Sequence, residues 1–81
     1  MRDESTETVL RKEIDKWTLK IKKELRKVRA KNPKGEEFLA NINAYVSDSG
    51  HFLAKGDPVR SFESIIWAWS WLEIGREIGL L

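Results

Sequence analysis

The sequence predicts an all-α fold, a three-helix up-and-down bundle. Apolar residues recur at spacings of three and four along nearly its whole length, the signature of amphipathic helices. Two clusters of turn residues, Asn32-Pro33-Lys34-Gly35 and Lys55-Gly56-Asp57-Pro58, cut that pattern into three. No segment alternates apolar and polar residues as a half-buried strand would. With 81 residues there is room for one core, so residues 1–81 are read as a single helical domain.

The first helix is expected over about residues 5–30. Leu10, Ile14, Trp17, Ile21, Leu25 and Val28 share one face. Asp3 or Ser5 is suited to cap its start, and Glu7 and Arg11 stand four apart in the favourable order. Pro33 disfavours helical backbone in the residue before it, which is read as the stop. The second helix is expected over about 36–55. Glu36 and Glu37 complement the positive end of its dipole, and Phe38, Leu39, Ile42, Tyr45, Val46, Phe52 and Leu53 form its apolar face. Gly50 lies inside it at a cost of about 1 kcal/mol against alanine.

Gly56, Asp57 and Pro58 form the strongest local signal. Glycine suits the left-handed residue past a helix end, aspartate the N-cap and proline the first helical position. The third helix is expected over about 58–78. Both turns are short, so consecutive helices should run antiparallel. On the third helix Ser61, Ser64, Ala68, Gly75 and Gly79 make a small-residue stripe, and Glu63, Ser70 and Glu77 a polar one. Phe62, Ile65, Ile66, Trp69 and Leu72 flank these on one side, and Trp67, Trp71, Ile74 and Ile78 on the other. Two neighbouring helices cannot bury so much apolar surface, so part of it should face solvent or a partner.

Composition narrows the function. There is no cysteine, hence no disulfide or thiolate site, and the single histidine, His51, cannot build a tetrahedral zinc centre. No metal and no cofactor is therefore expected. The N-terminal MRDESTE is acidic and polar, unlike a secretory or transit signal. The apolar run from Ile65 to Leu72 is far short of the roughly 20 residues that span a bilayer. A cytoplasmic protein without a membrane span is the expectation. No glycine-rich phosphate loop, activated nucleophile or calcium-loop spacing appears, so the chain is read as non-enzymatic. Asp48 and His51 stand three apart, a spacing that favours a surface contact over an acid–base couple; Asp48 is expected to bond Asn41 or Lys55. Glu73 and Arg76 have the spacing of an ordinary ion pair.

The net charge of +2 hides an asymmetry. Residues Lys16 to Lys34 carry nine basic side chains and one acid, and the rest of the chain six bases and twelve acids. Local charges of about +8 and −6 follow, a pattern that points to an anionic partner. Lys16, Lys20, Lys22, Lys23, Arg26, Lys27 and Arg29 form a band away from the apolar face, with Leu19 at its centre. The band has no interleaved aromatics, so base stacking on single strands is not indicated.

The segment SDSGHFLAKGD followed by A-x-x-W-L-x-x-G resembles an archaeal family of small helical proteins, domain-of-unknown-function family 357. The matching residues are Asp48, Phe52, Leu53, Gly56, Asp57, Val59, Arg60, Phe62, Glu63, Ala68, Trp71, Leu72, Gly75 and Gly79, which span about half of the chain. The acid after Trp-Leu is present as Glu73, and Ser61 replaces an expected alanine. The resemblance implies a three-helix bundle and no particular activity. A weaker likeness, of FLAKGDPVRSFESIIWAW to one tetratricopeptide hairpin, concerns local packing alone, because that repeat needs several stacked copies.

The functional expectation is a protein–protein interaction module, with Trp67, Trp71, Ile74 and Ile78 as the contact surface and itself or another protein as partner. The alternative is sequence-independent nucleic-acid binding through the basic band.

Overall fold

The computed structural model describes residues 5–81, which form three helices: α1 (Thr6–Leu25), α2 (Pro33–Ala54) and α3 (Pro58–Glu77). No strand is present among the described residues.

Each helix starts with a side-chain cap. Ser5 Oγ accepts from the Thr8 amide at 3.1 Å, and Asn32 Oδ1 from the Gly35 amide at 2.9 Å. Asp57 Oδ1 accepts from the Arg60 amide at 3.1 Å. Asp3, the other candidate cap of α1, lies outside the described residues.

Two boundaries differ from the sequence expectation. α1 stops at Leu25, five residues early, because the chain tightens into i→i−3 bonds from Lys27 to Glu24 and from Val28 to Leu25. Val28 is still buried, since the segment after α1 continues across the core in non-helical form. α2 starts three residues early, at Pro33. Asn32-Pro33 is thus a start signal of the same kind as Asp57-Pro58, with proline where its missing N–H costs nothing.

The α2–α3 turn has the expected chemistry. Gly56 has φ +81°, its amide bonds the Leu53 carbonyl at 3.0 Å, and the Asp57 amide bonds that of Phe52 at 2.9 Å. Those are the two bonds of a Schellman motif. α3 ends in the same way: Gly79 has φ +80°, and the Leu80 amide bonds the Gly75 carbonyl at 2.8 Å. Gly79 therefore belongs to a cap and is not part of the packed small-residue stripe.

The chain then folds back. The Leu80 carbonyl accepts from the Lys31 amide at 3.1 Å, and Leu81 is buried. Two glycines make room for this tail. A Cβ on Gly35 would run into the Leu80 oxygen, and one on Gly75 would sit 2.7 Å from Leu81 Cδ1.

α3 is the central helix. It packs on both α1 and α2, whereas α1 and α2 barely touch each other. Trp69 Nε1 donates to the Trp17 carbonyl at 3.1 Å and Arg76 to Glu24 at 2.7 Å, each pair 52 residues apart, so α1 and α3 run parallel and in register. α2 runs antiparallel to α3. Ser49 meets Ser61 near the turn, Tyr45 meets Trp67 midway, and Phe38 meets Trp71 toward the far end. The small side chains of Ser61, Ser64, Ala68 and Gly75 all lie buried, which lets the backbones of α2 and α3 come close. The core consists of Ile21, Ile42, Ile65, Ala68 and Leu72, all 0% exposed, closed by Val28, Phe38 and Leu81.

Candidate interaction surfaces

The burial of Ser61, Ile65, Ala68 and Leu72 turns the opposite side of α3 outward. Trp67 is 52% exposed, Ile74 47% and Ile78 59%. Trp71, the fourth residue of that stripe, is only partly exposed. Its ring packs edge-on against Phe38 with centroids 4.8 Å apart. Among the described residues, the Trp71 indole N–H is the buried side-chain polar group without a hydrogen-bond partner. Tyr45 of α2 lies nearly parallel to Trp67, with centroids 6.2 Å apart and planes 19° from parallel. The two rings stack across α2 and α3. Tyr45 belongs to the expected α2 apolar face; its position three residues past Ile42, at the edge of that face, is the signal for this second role.

The other two tryptophans pack against each other. Trp17 and Trp69 meet edge-to-face at 5.7 Å between α1 and α3, and Glu13 accepts from the Trp17 indole at 3.2 Å. Lys16 and Lys20 lie over the Trp17 ring at 5.1 and 4.9 Å, within cation–π range.

The basic band divides into two classes. Lys16 pairs with Glu13 at 3.1 Å and Lys27 with Glu24 at 3.3 Å, while Arg29 donates to the Val28 carbonyl at 3.0 Å. Lys20, Lys22, Lys23 and Arg26 pair with no acid among the described residues and, with Leu19, line an open depression of about 350 Å³. Leu19 is 71% exposed. It also borders a groove of about 320 Å³ between α1 and α2, floored by Ile14, Val46, Ser49 and Leu53.

Three expected contacts take another form. Arg76 reaches across to Glu24 of α1 instead of pairing with Glu73, so it ties α1 to α3. Asp48 is exposed and bonds neither Asn41 nor Lys55. It makes no hydrogen bond or ion pair with His51 either, whose ring lies 6.2 Å from that of Phe52.

Ser49 is a core residue outside the expected apolar face. It is buried, donates to the Ser61 carbonyl at 2.9 Å and bonds Ser61 Oγ at 3.0 Å. Its place seven residues after Ile42, on the same helix line, marks it as a core position.

Two carboxylates are perturbed. The Lys16 hydrogen bond, then that of Trp17, holds Glu13 below its usual range, and the Arg76 bond, then that of Lys27, does the same for Glu24. Both shifts favour the charged form on the surface. A general acid working near neutral pH needs the opposite direction. No group of three or more potential metal ligands occurs among the described residues, and no helix there is long and apolar enough to cross a membrane.

Residues 8–81 match the family model described as a protein of unknown function, DUF357. The chain belongs to this family. Among solved structures it is similar to the crystal structure of protein AF1782 from the archaeon Archaeoglobus fulgidus, also of DUF357. The two are 47% identical, the match covers 94% of this chain and 95% of that one, and the TM-score is 0.85. No curated protein matches the chain. The family membership and the three-helix fold agree with the sequence resemblance.

Proposed function

We propose that this DUF357 chain is a non-catalytic interaction module whose partner is a second copy, docked on the outward stripe of α3. The observation that carries this reading is the exposure of Trp67, Ile74 and Ile78 on one line of a helix whose opposite side is already buried. With Trp71 they follow a four-three-four spacing, that of a helix-packing seam. The seam is self-complementary. Two antiparallel copies of α3 related by a two-fold axis bring Trp67 against Ile78 and Trp71 against Ile74, large against medium throughout. The Tyr45–Trp67 pair widens the contact and supplies the rigid aromatic area that dominates binding energy.

The stripe exposes a few hundred Å² of apolar surface, below the roughly 800 Å² per partner of a standard interface. The dimer is accordingly a weak one that also uses the flanks of the seam.

Sedimentation equilibrium tests the proposal. The chain should self-associate at micromolar to high-micromolar concentration, and Trp67→Glu should make it monomeric without loss of helicity. A monomer at high-micromolar concentration, or association untouched by Trp67→Glu, refutes it.

A further inference from the structure

The groove between α1 and α2 is a second unpartnered feature, on another side of the molecule from the α3 stripe. It lies where the two helices barely touch. Its floor is mainly apolar, from Ile14, Val46 and Leu53 with Ser49, and Leu19 stands at its α1 rim.

Gly50 lines the groove and is unexplained by packing within the chain. A Cβ there would meet nothing within 4 Å, in contrast to Gly35 and Gly75, where close packing demands glycine. Gly50 has no positive φ and ends no helix. A mid-helix glycine weakens the helix. What it supplies here is bare backbone facing an open groove, the feature that lets another helix approach closely.

Charge is uneven between the groove and the depression that adjoins it. The α2 residues that line it, Val46, Ser49, Gly50 and Leu53, are uncharged. On the α1 side Asp15 stands at one end. Lys22 follows and is shared with the adjoining depression, where Lys23 and Arg26 also lack an acid partner. Asp15 and Lys22 balance within the groove itself; the cationic surplus lies in the adjoining depression, and Leu19 and Lys22 belong to both.

We propose that the α1–α2 groove binds an acidic amphipathic helix of a partner protein. Its apolar residues enter between Ile14, Leu19, Val46 and Leu53, its backbone passes over Gly50, and its acids face Lys22, Lys23 and Arg26. This is the helix-in-groove mode of recognition, with i, i+3, i+4 and i+7 anchors. It is independent of the α3 stripe.

Calorimetric titration of the full chain with two designed helical peptides tests it. Both are about 18 residues, five turns, with leucine at the same seam positions. One carries glutamate beside the seam and the other lysine. The glutamate peptide should bind at least about tenfold tighter than the lysine peptide. Gly50→Leu should abolish that binding while raising Tm, since the side chain fills the groove and improves the helix. The double variant Lys22→Glu/Arg26→Glu should reverse the preference, and Trp67→Glu should leave it unchanged. Equal binding of both peptides, or full binding by Gly50→Leu, overturns the proposal. Two results would assign the surface to another occupant and overturn it equally: duplex DNA bound better than the glutamate peptide by wild type and Gly50→Leu alike, or loss of self-association in Gly50→Leu.

Discussion

The Ser49–Ser61 pair offers the sharpest test of how α2 and α3 are joined. Both hydroxyls are inaccessible, at 1% and 0% exposure, and sit where the two backbones come close. Ser49 Oγ donates to the Ser61 carbonyl and bonds the Ser61 hydroxyl. Ser49→Ala removes both interactions. The Ser61 carbonyl keeps the bond its place in α3 provides, but the Ser61 hydroxyl is left buried and alone. An unsatisfied buried group costs about 1–3 kcal/mol, against about 1 kcal/mol for a simple lost bond. The expected loss for Ser49→Ala is thus about 2 kcal/mol, a fall in Tm of roughly 8–16 °C for a domain of this size. Ser61→Ala leaves the bond from Ser49 to the Ser61 carbonyl intact and should cost about half as much. The double variant removes both hydroxyls and leaves no orphan, so its cost should fall well below the sum of the two. Urea denaturation of the four proteins closes the cycle. Additive losses, or a Ser49→Ala protein as stable as wild type, would refute the claim that one buried hydroxyl satisfies the other.

Other perturbations separate the remaining structural devices. Gly56→Ala forces a side chain into φ +81° and should cost about 1–2 kcal/mol, and Asp57→Ala should cost about 0.5–2 kcal/mol through the lost N-cap. Neither should change sedimentation behaviour, and wild-type melting of both would contradict the turn geometry. Gly75→Ala places a Cβ 2.7 Å from Leu81 Cδ1 and should destabilise by about 1–3 kcal/mol; adding Leu81→Ala should cost less than it does alone. Simple additivity in thermal melts would show that the tail does not pack there. Glu13 and Glu24 titrate below their unfolded range, so their stabilising effect is complete above the unfolded pKa and lost as pH falls through the folded one. Glu24→Gln should therefore flatten the acid limb of the stability profile, and an unchanged limb would refute the Arg76–Glu24 tie.

The sequence by itself determined the helices, because their causes are local. Spacings of three and four in Leu10 through Val28 and in Phe38 through Leu53 generate the apolar faces, and Gly56-Asp57-Pro58 stops one helix and caps the next within three residues. It also carried the family resemblance, and its surplus of apolar residues on the third helix already implied an exposed stripe. Tertiary structure decided what depends on neighbours. Asn32-Pro33 reads equally as an end or a beginning until the path after Leu25 is known. The small residues of α3 show that something approaches closely, but only packing shows that α2 does. Arg76 chose Glu24 over Glu73 because the parallel register of α1 and α3 brings Glu24 within reach. The fold-back of Leu80 and Leu81 onto Gly35 and Gly75 joins residues far apart in the chain, and no local spacing encodes it. Exposure is likewise a property of the whole: Trp69 and Trp67 are two residues apart on one helix, yet α1 covers the first and leaves the second half open to solvent.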